Sequence, residues 1–346
     1  MKIGIARDER FKEHLTGHFH PEHPKRLDAI YRMLDRNFAD AGDRLAAYTA
    51  APAPVEVVER IHSPEHIRRI LKTSEQRITH LAPDTPVCSK SYMAAWLAVG
   101  ACLTGIDSLM ADACQAFFAL IRPPGHHALA NRAGGFCIFN NIAIAAQYAI
   151  QRYRLRRILV VDWDIHHGNG IQRLFYADPR VLYISTHDLM LYPYSGQTAE
   201  TGAAWGDGYT INAPIERAMT DTDILWLYRS ILEPVIYNYR PELILVAAGF
   251  DAHEADPLGR SHWTEAAYAG ITRMILNASA GIGRPPVFLA LEGGYNPGTL
   301  ASCIHSWLLE FLQQDSALAE LRPEHEETAT LAAQLRRIHS NYGLME

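Results

Sequence analysis

RILVVDWDIHHGNG, residues 157 to 170, drives an apolar run into two carboxylates, two adjacent imidazoles and two glycines. An apolar run without alternation is the pattern of a strand buried on both faces, as in a parallel sheet. Strand alternation would send Asp162, Asp164 and His166 to one side and Trp163 and Ile165 to the other. Charges at the mouth of a buried strand are costly unless they are paired or bind a metal. The row therefore calls for partners or an ion.

Similar runs recur along the chain: KIGIA (2 to 6), AFFALI (116 to 121), VLYIST (181 to 186), ELILVAAG (242 to 249) and PVFLALEGG (286 to 294). Longer amphipathic segments lie between them, among them residues 91 to 111, 140 to 153 and 221 to 239. Alternating strands and helices predict an α/β fold with a mostly parallel central sheet and helices on both faces. No repeat, low-complexity tract or linker divides the 346 residues, so one domain over 1 to 346 is expected. Ligands of such sheets bind beyond the C-terminal strand ends. Here those ends read RPPGHHA, DWDIHHGNG, FDAHEADPLG and EGGYNPG, which places the active site there.

The net charge of -6 gives no general attraction to nucleic acid or to acidic membranes, and a small or neutral substrate fits better. The basic stretch RYRLRR (152 to 157) is expected to be a solvated helix end. The start MKIGIARDERF lacks a signal-like apolar region, and no later stretch is expected to reach transmembrane length. A cytoplasmic protein is expected. Five cysteines without a CxxC pair are expected to be reduced thiols.

Asp164, His166 and Asp251 can be taken as one ligand set, with open positions for water and substrate, as metal-assisted hydrolysis requires. Two oxygen donors make the site hard enough for Fe2+ or Co2+ to compete with Zn2+. His126 and His127 are then free for proton transfer, and Asp162 and Asn169 are available to orient them. Tyr295 offers an O–H where an oxyanion would develop.

RPPGHHA, GGFCIFNN, DWDIHHGNG, GFDAHEADPLG and LEGGYN together closely resemble the signature segments of the zinc-dependent histone deacetylase superfamily, and the match runs from residue 18 to about residue 310. That superfamily includes bacterial class II-like lysine deacetylases, acetoin-utilisation proteins and acetylpolyamine amidohydrolases. The resemblance implies an arginase-like single catalytic domain. It also implies Zn2+ on Asp164, His166 and Asp251, with His127 as general base and His126 as electrostatic partner or acid. Asp162 would orient His126, Asn169 would orient His127, and Tyr295 would stabilise the oxyanion. Gly135 and Phe136 would form one wall of an acyl-lysine tunnel, Tyr192 the opposite aromatic, Leu258 the mouth, and Arg26 the lining of an internal acetate channel. Structural K+ would fall at Asp162, Asp164, His166, Ser185 and Thr186, and a second K+ near Phe175, Asp178, Val181 and Tyr209.

Some members of the superfamily carry Asp where this chain has Asn169, and an uncharged partner leaves His127 neutral and basic near pH 7. This resembles the class II-like members. The implied reaction removes acetyl or other acyl groups from lysine side chains of peptides or proteins. An acetylpolyamine amidohydrolase is the nearest alternative, and it tends to carry a carboxylate at the mouth position where Leu258 stands. An arginase-like dimanganese hydrolase is recommended by DAHEAD but opposed by RPPGHH and EGGY. A catalytically dead reader of acyl-lysine would have lost Tyr295, a ligand or His127, and all are present.

Overall fold

In a computed structural model, which describes residues 1–75, 78–259, 261–313 and 321–345, every one of these apolar runs is a strand. The strands are β1 (Ile3–Ala6), β2 (Leu45–Tyr48), β3 (His80–Ala82), β4 (Thr85–Pro86), β5 (Ala116–Ala119), β6 (Ile158–Asp162), β7 (Val181–His187), β8 (Thr210–Pro214), β9 (Leu243–Ala248) and β10 (Val287–Leu291). Eight of them form one sheet in the order β2-β1-β5-β10-β9-β6-β7-β8, with every neighbouring pair parallel. β3 and β4 make a separate antiparallel pair. The main helices are α1 (Lys25–Asn37), α2 (Val55–Val58), α3 (Pro64–Leu71), α4 (Ser91–Met110), α5 (Asn141–Tyr153), α6 (Asn169–Phe175), α7 (Asp221–Tyr239), α8 (Glu265–Ala280), α9 (Pro297–Gln313) and α10 (Glu326–His339). α4 packs on α5 and on the sheet, while α8 packs between α7 and α9, and α9 lies against α1.

β5, β6, β9 and β10 are buried at every position, which is why they read as unbroken apolar runs. They are also the four central neighbours of the sheet, ordered β5-β10-β9-β6. Adjacent strands lie about 4.8 Å apart, so the four motif-bearing ends are held within one small region. The sheet order, more than any single motif, gathers the chemistry.

Two expectations need adjustment. α4 is 20 residues long with mean hydropathy 1.5 and only Asp107 charged, so by length and composition it is apolar enough to cross a bilayer. Its apolar character goes with burial, since 67% of that window is buried inside the protein. β6 ends at Asp162, so strand alternation does not extend to Asp164 and His166, and the three side chains do not form one row. The basic stretch 152–157 lies at the helix end as expected, with the backbone N–H groups of Arg156 and Arg157 donating to Glu242 Oε2 at 2.8 and 2.9 Å. All five cysteines are free.

Asp223, buried in the first turn of α7, ties the C-terminal helix to the domain. Its carboxylate accepts from the N–H groups of Glu324 and His325 (2.9 Å each), from Thr328 Oγ1 (3.0 Å) and from the Thr220 N–H (3.1 Å). Burial opposes the charge, but these donors and the His325 ring outweigh it and hold the carboxyl down to about 2. A carboxyl whose folded pKa is depressed stabilises the fold above its unfolded value near 4, and that contribution fades as pH falls toward 2. Asp223→Ala is expected to cost about 2 to 3 kcal/mol at pH 7, since it removes a helix cap and leaves buried donors unpaired. The loss should shrink at pH 3, and urea unfolding at the two pH values checks it. A pH-independent loss would show that packing, not the carboxylate, matters.

Candidate active site

The end of β6 supplies the centre of the site. Asp164 Oδ1 accepts the His166 N–H (2.9 Å) and Oδ2 accepts the Gly293 N–H from the end of β10 (2.9 Å). Asp251, from the end of β9, accepts the Ile165 N–H through Oδ1 (3.1 Å) and faces His166 Nδ1 through Oδ2 (2.9 Å). His166 Nδ1 also lies 3.1 Å from Asp164 Oδ1. One ligand atom from each of the three residues lies within 4.8 Å of the others. A side chain at Gly293 would put its Cβ 2.1 Å from Asp251 Oδ2, so the close approach of this loop to the cluster requires glycine.

The electrostatics suit a cation. Asp251 is pushed above the usual carboxylate range by burial and by the neighbouring Asp164 charge. Burial opposes a charge on His166, but Asp251 and Asp164 outweigh it and draw a proton onto the ring. Two buried carboxylates that capture a proton where their oxygens meet an imidazole form a donor set fit for a divalent ion. His253 of the DAHEAD segment is not part of it, because its Nδ1 accepts the Ala255 N–H (3.1 Å) and its Nε2 faces Glu265 at 3.5 Å.

The two histidines that follow β5 stand beside the cluster with different partners. His126 Nδ1 lies 3.2 Å from Asp162 Oδ2, which also accepts the Tyr183 O–H (2.9 Å). Burial lowers the His126 pKa, but the Asp164 and Asp162 carboxylates outweigh it and carry it up to about 10. His127 Nδ1 lies 3.0 Å from Asn169 Oδ1. Burial, then the charges of His126 and His166, push His127 well below its ordinary value. The two rings, 3.9 Å apart between centroids, are thus pushed in opposite directions, His126 toward its cation and His127 toward its neutral form. Environments that split a like pair in this way mark acid and base roles.

Above the cluster a cavity of about 270 Å3 is lined by His127, His166, Gly135, Phe136, Tyr192, Leu191, Leu258, Tyr295 and Asp84. Phe136 has a left-handed backbone (φ 66°), uncommon for a bulky residue. Its N–H donates to Thr85 Oγ1 (3.2 Å) and the Gly135 N–H donates to Asp84 Oδ2 (3.0 Å). At Gly135 a Cβ would lie 2.2 Å from His127 Cδ2, so the wall must pass the base as bare backbone. Tyr192 crosses the His127 ring edge-on at 4.9 Å. Tyr295 meets Phe136 edge-on at 5.7 Å, and its N–H donates to Asp256 Oδ2 at 2.5 Å. Burial, with the Asp251 and Asp164 charges, raises the Tyr295 phenol well above 10, so it remains a donor.

A family model described as the histone deacetylase domain matches residues 20–311. The chain belongs to the histone deacetylase family. A probable deacetylase of Archaeoglobus fulgidus is 31% identical, with 99% of both chains covered. Histone deacetylase HDA1 of Candida albicans is 35% identical over 86% of this chain and 39% of the relative. The crystal structure of the HDA15 HD domain superposes with a TM-score of 0.89 at 30% identity, covering 99% of this chain and 95% of that one. The chain spans 39% of the length of the Candida albicans relative, so it corresponds to part of that protein.

Family membership bears on what else the site contains. Arg26 is wholly enclosed: Nε donates to Gly294 O (2.6 Å), one terminal nitrogen to Glu292 O (2.5 Å) and the other to Glu22 Oε1 (3.0 Å). Its guanidinium lies 5.1 Å from the Tyr295 ring centroid, so it braces the tyrosine loop from behind. The first group expected to hold potassium is brought together at adjacent strand ends, where Asp162 pairs in register with Ser185. Ser185 Oγ lies 2.8 Å from His187 Nδ1, and Thr186 Oγ1 the same distance from the Tyr228 O–H. In the second group Phe175, Asp178 and Val181 lie on two successive turns, closed by Asp178 N–H to Phe175 O (2.9 Å) and Val181 N–H to Asp178 O (3.2 Å), while Tyr209 O accepts the nearby Tyr183 N–H (2.9 Å).

Asp84 and Glu292 were not singled out from the sequence. Glu292 Oε2 accepts the Gly125 and His126 N–H groups (2.7 and 3.1 Å), and Glu22 pairs with the buried Arg122. Glu292 lies inside the quoted EGGY, so its position was visible, but its partner is 166 residues away.

Proposed function

We propose that this chain is a zinc-dependent lysine deacylase that hydrolyses acetyl or other acyl groups from lysine side chains of peptides or proteins. The observation that carries this is His127, held through Nδ1 by Asn169 Oδ1 at 3.0 Å, beside the Asp164, His166 and Asp251 cluster and at the base of a cavity walled by Phe136 and Tyr192. Asp164, His166 and Asp251 would hold Zn2+, with Fe2+ or Co2+ as substitutes, and the ion would polarise the acyl carbonyl and acidify water. Phe136 and Tyr192 enclose the aliphatic lysine stem and exclude water. His127, with Nδ1–H fixed by Asn169, presents its other nitrogen to take a proton from the attacking water. Tyr295 donates its O–H to the oxygen that becomes negative as the carbonyl is attacked. His126, cationic against Asp162, stabilises the growing negative charge. The proton returns to the departing lysine amine through His127, releasing lysine and carboxylate. Structural K+ at Asp162, Asp164, His166, Ser185 and Thr186, and at Phe175, Asp178, Val181 and Tyr209, completes the proposed ion content.

Turnover of acyl-lysine peptides of increasing acyl length, beside N-acetylated polyamines, tests this proposal. Hydrolysis of the polyamines alone would overturn it. That second reading draws on Asp84, a carboxylate in the cavity wall. Both of its oxygens already accept protein donors, the Gly135 N–H and the Thr85 O–H. Leu258, half-buried at the mouth, packs against an aliphatic stem but cannot pair with a second ammonium. Leu258→Glu is therefore expected to raise kcat/KM for an acetylpolyamine over an acetyl-lysine peptide by roughly fivefold to tenfold at low salt. An unmoved ratio would remove Leu258 from substrate selection.

A further inference from the structure

Beside the acyl cavity lies a second one of about 410 Å3, lined by the same two loops and by the 167–176 segment that contains α6. Leu129 and Arg132 precede Gly135 and Phe136 on one loop, and Ser195 follows Leu191 and Tyr192 on the other. The loops touch, since a Cβ on Gly134 would lie 3.0 Å from the Tyr192 hydroxyl. Asn169 lines the second cavity while its Oδ1 faces His127, which lines the first.

The polar groups of this cavity fall into two sets. One set is spent on itself. His167 bridges Ser195 Oγ (2.8 Å) and Gln172 Oε1 (2.9 Å), and Gln172 Nε2 donates to Glu200 Oε2 (2.5 Å). The other oxygen of Glu200 accepts the Gln197 N–H (2.9 Å), so this carboxylate is turned inward and both of its oxygens hold donors. The second set is Arg132, Arg173, the Tyr176 hydroxyl and Asn169 Nδ2, whose side-chain donors have no hydrogen-bond or ion-pair partner among the described residues. Both arginines are exposed. The free groups thus include two fixed cations, a phenol and an amide N–H, in a chain whose net charge is -6. The Arg132 charge is also felt at the Tyr192 hydroxyl, where it opposes the upward push of burial and of Asp84.

Two permanent cations, a phenol and an amide N–H around one concavity favour an anionic occupant over a cationic one. We propose that this second cavity is a subsite for a carboxylate side chain of the substrate polypeptide flanking the acyl-lysine, with Arg132 and Arg173 as the residues that set this preference. The inference rests on the lysine deacylase proposed above. An extended chain advances about 3.3 to 3.6 Å per residue, so a side chain about two to four positions from the acyl-lysine reaches a neighbouring cavity. A cationic polyamine is disfavoured by the same charges.

The test compares acetyl-lysine peptides that differ only in Glu or Gln at each of these positions, together with a blocked single acetyl-lysine and an N-acetylated polyamine. In the wild type, kcat/KM for the best Glu peptide should exceed that of its Gln partner by roughly fivefold to tenfold at low salt, less at high salt. Arg132→Ala/Arg173→Ala should bring the ratio to about one, and turnover of the single acetyl-lysine should stay unchanged. Peptide hydrolysis with equal Glu and Gln rates, or a preference that survives in the double variant, would overturn the subsite while leaving the deacylase intact. Hydrolysis of the polyamine alone would overturn both. If inorganic phosphate or free glutamate alters turnover of the single acetyl-lysine in an arginine-dependent way, with no peptide preference, the cavity serves a free anion and the substrate subsite is wrong.

Discussion

Asp251→Ala is expected to lose bound metal and hydrolytic activity together, with turnover falling at least about 10^3-fold, because one carboxylate of a three-ligand site supplies charge and geometry that nothing nearby replaces. Metal analysis after dialysis, alongside turnover, checks it. Full metal occupancy in the variant, or two ions at the catalytic cluster of the wild type, would refute the ligand set. Stability gives a readout independent of activity. In metal-free protein the Asp251 carboxyl is raised by burial and by Asp164, so folding binds its proton more tightly than the unfolded chain does. Its contribution to stability is therefore present below the unfolded value near 4 and is lost as pH rises through the raised folded value. Asp251→Asn should flatten that decline in the metal-free protein, and with the metal present it should instead be the less stable form. Matching pH profiles for metal-free wild type and variant would show that the two carboxylates do not repel.

Tyr295→Phe should keep the metal, the fold and nearly the same KM, yet lose roughly 10^2 to 10^3 in kcat, the usual cost of one oxyanion donor. Phenylalanine preserves the ring that meets Phe136 and covers Arg26, so the change isolates the hydroxyl. Single-turnover rates and metal content on one preparation separate this from misfolding. Unchanged kcat would remove Tyr295 from the chemistry, and lost metal would show that its loop also shapes the ligand cluster.

Much of this site is legible in one dimension because its chemistry sits directly after buried strands. Asp164, His166 and Asp251, the His126 and His127 pair, Asn169 and Tyr295 could all be named from short segments, since each strand announces itself by an apolar run and its end by polar residues. The edge strands β2 (LAAY) and β8 (TINAP) were not legible, being too weakly apolar to stand out, although β2 is as long as β1 and β5, and β8 as long as β6 and β10. Asp84 was not legible as part of the cavity because it does not follow a central strand, and it reaches the wall through the Gly135 N–H, 51 residues away. Nor was Arg26 legible as a brace, since the carbonyls it holds lie 266 and 268 residues along the chain. The two cavities likewise exist only where the 129–136 and 191–196 loops meet segments far from them in the chain, α6 for one and Leu258 and Tyr295 for the other. By itself the sequence determined the parallel α/β class and the kinds of polar residue gathered at the strand ends, because buried strands must be apolar and the polar groups at their ends must be paired or bind an ion. Only the tertiary structure decided the order β5-β10-β9-β6, and with it the opposite push on the two imidazoles and what surrounds them, because those properties depend on distances between residues far apart in the chain.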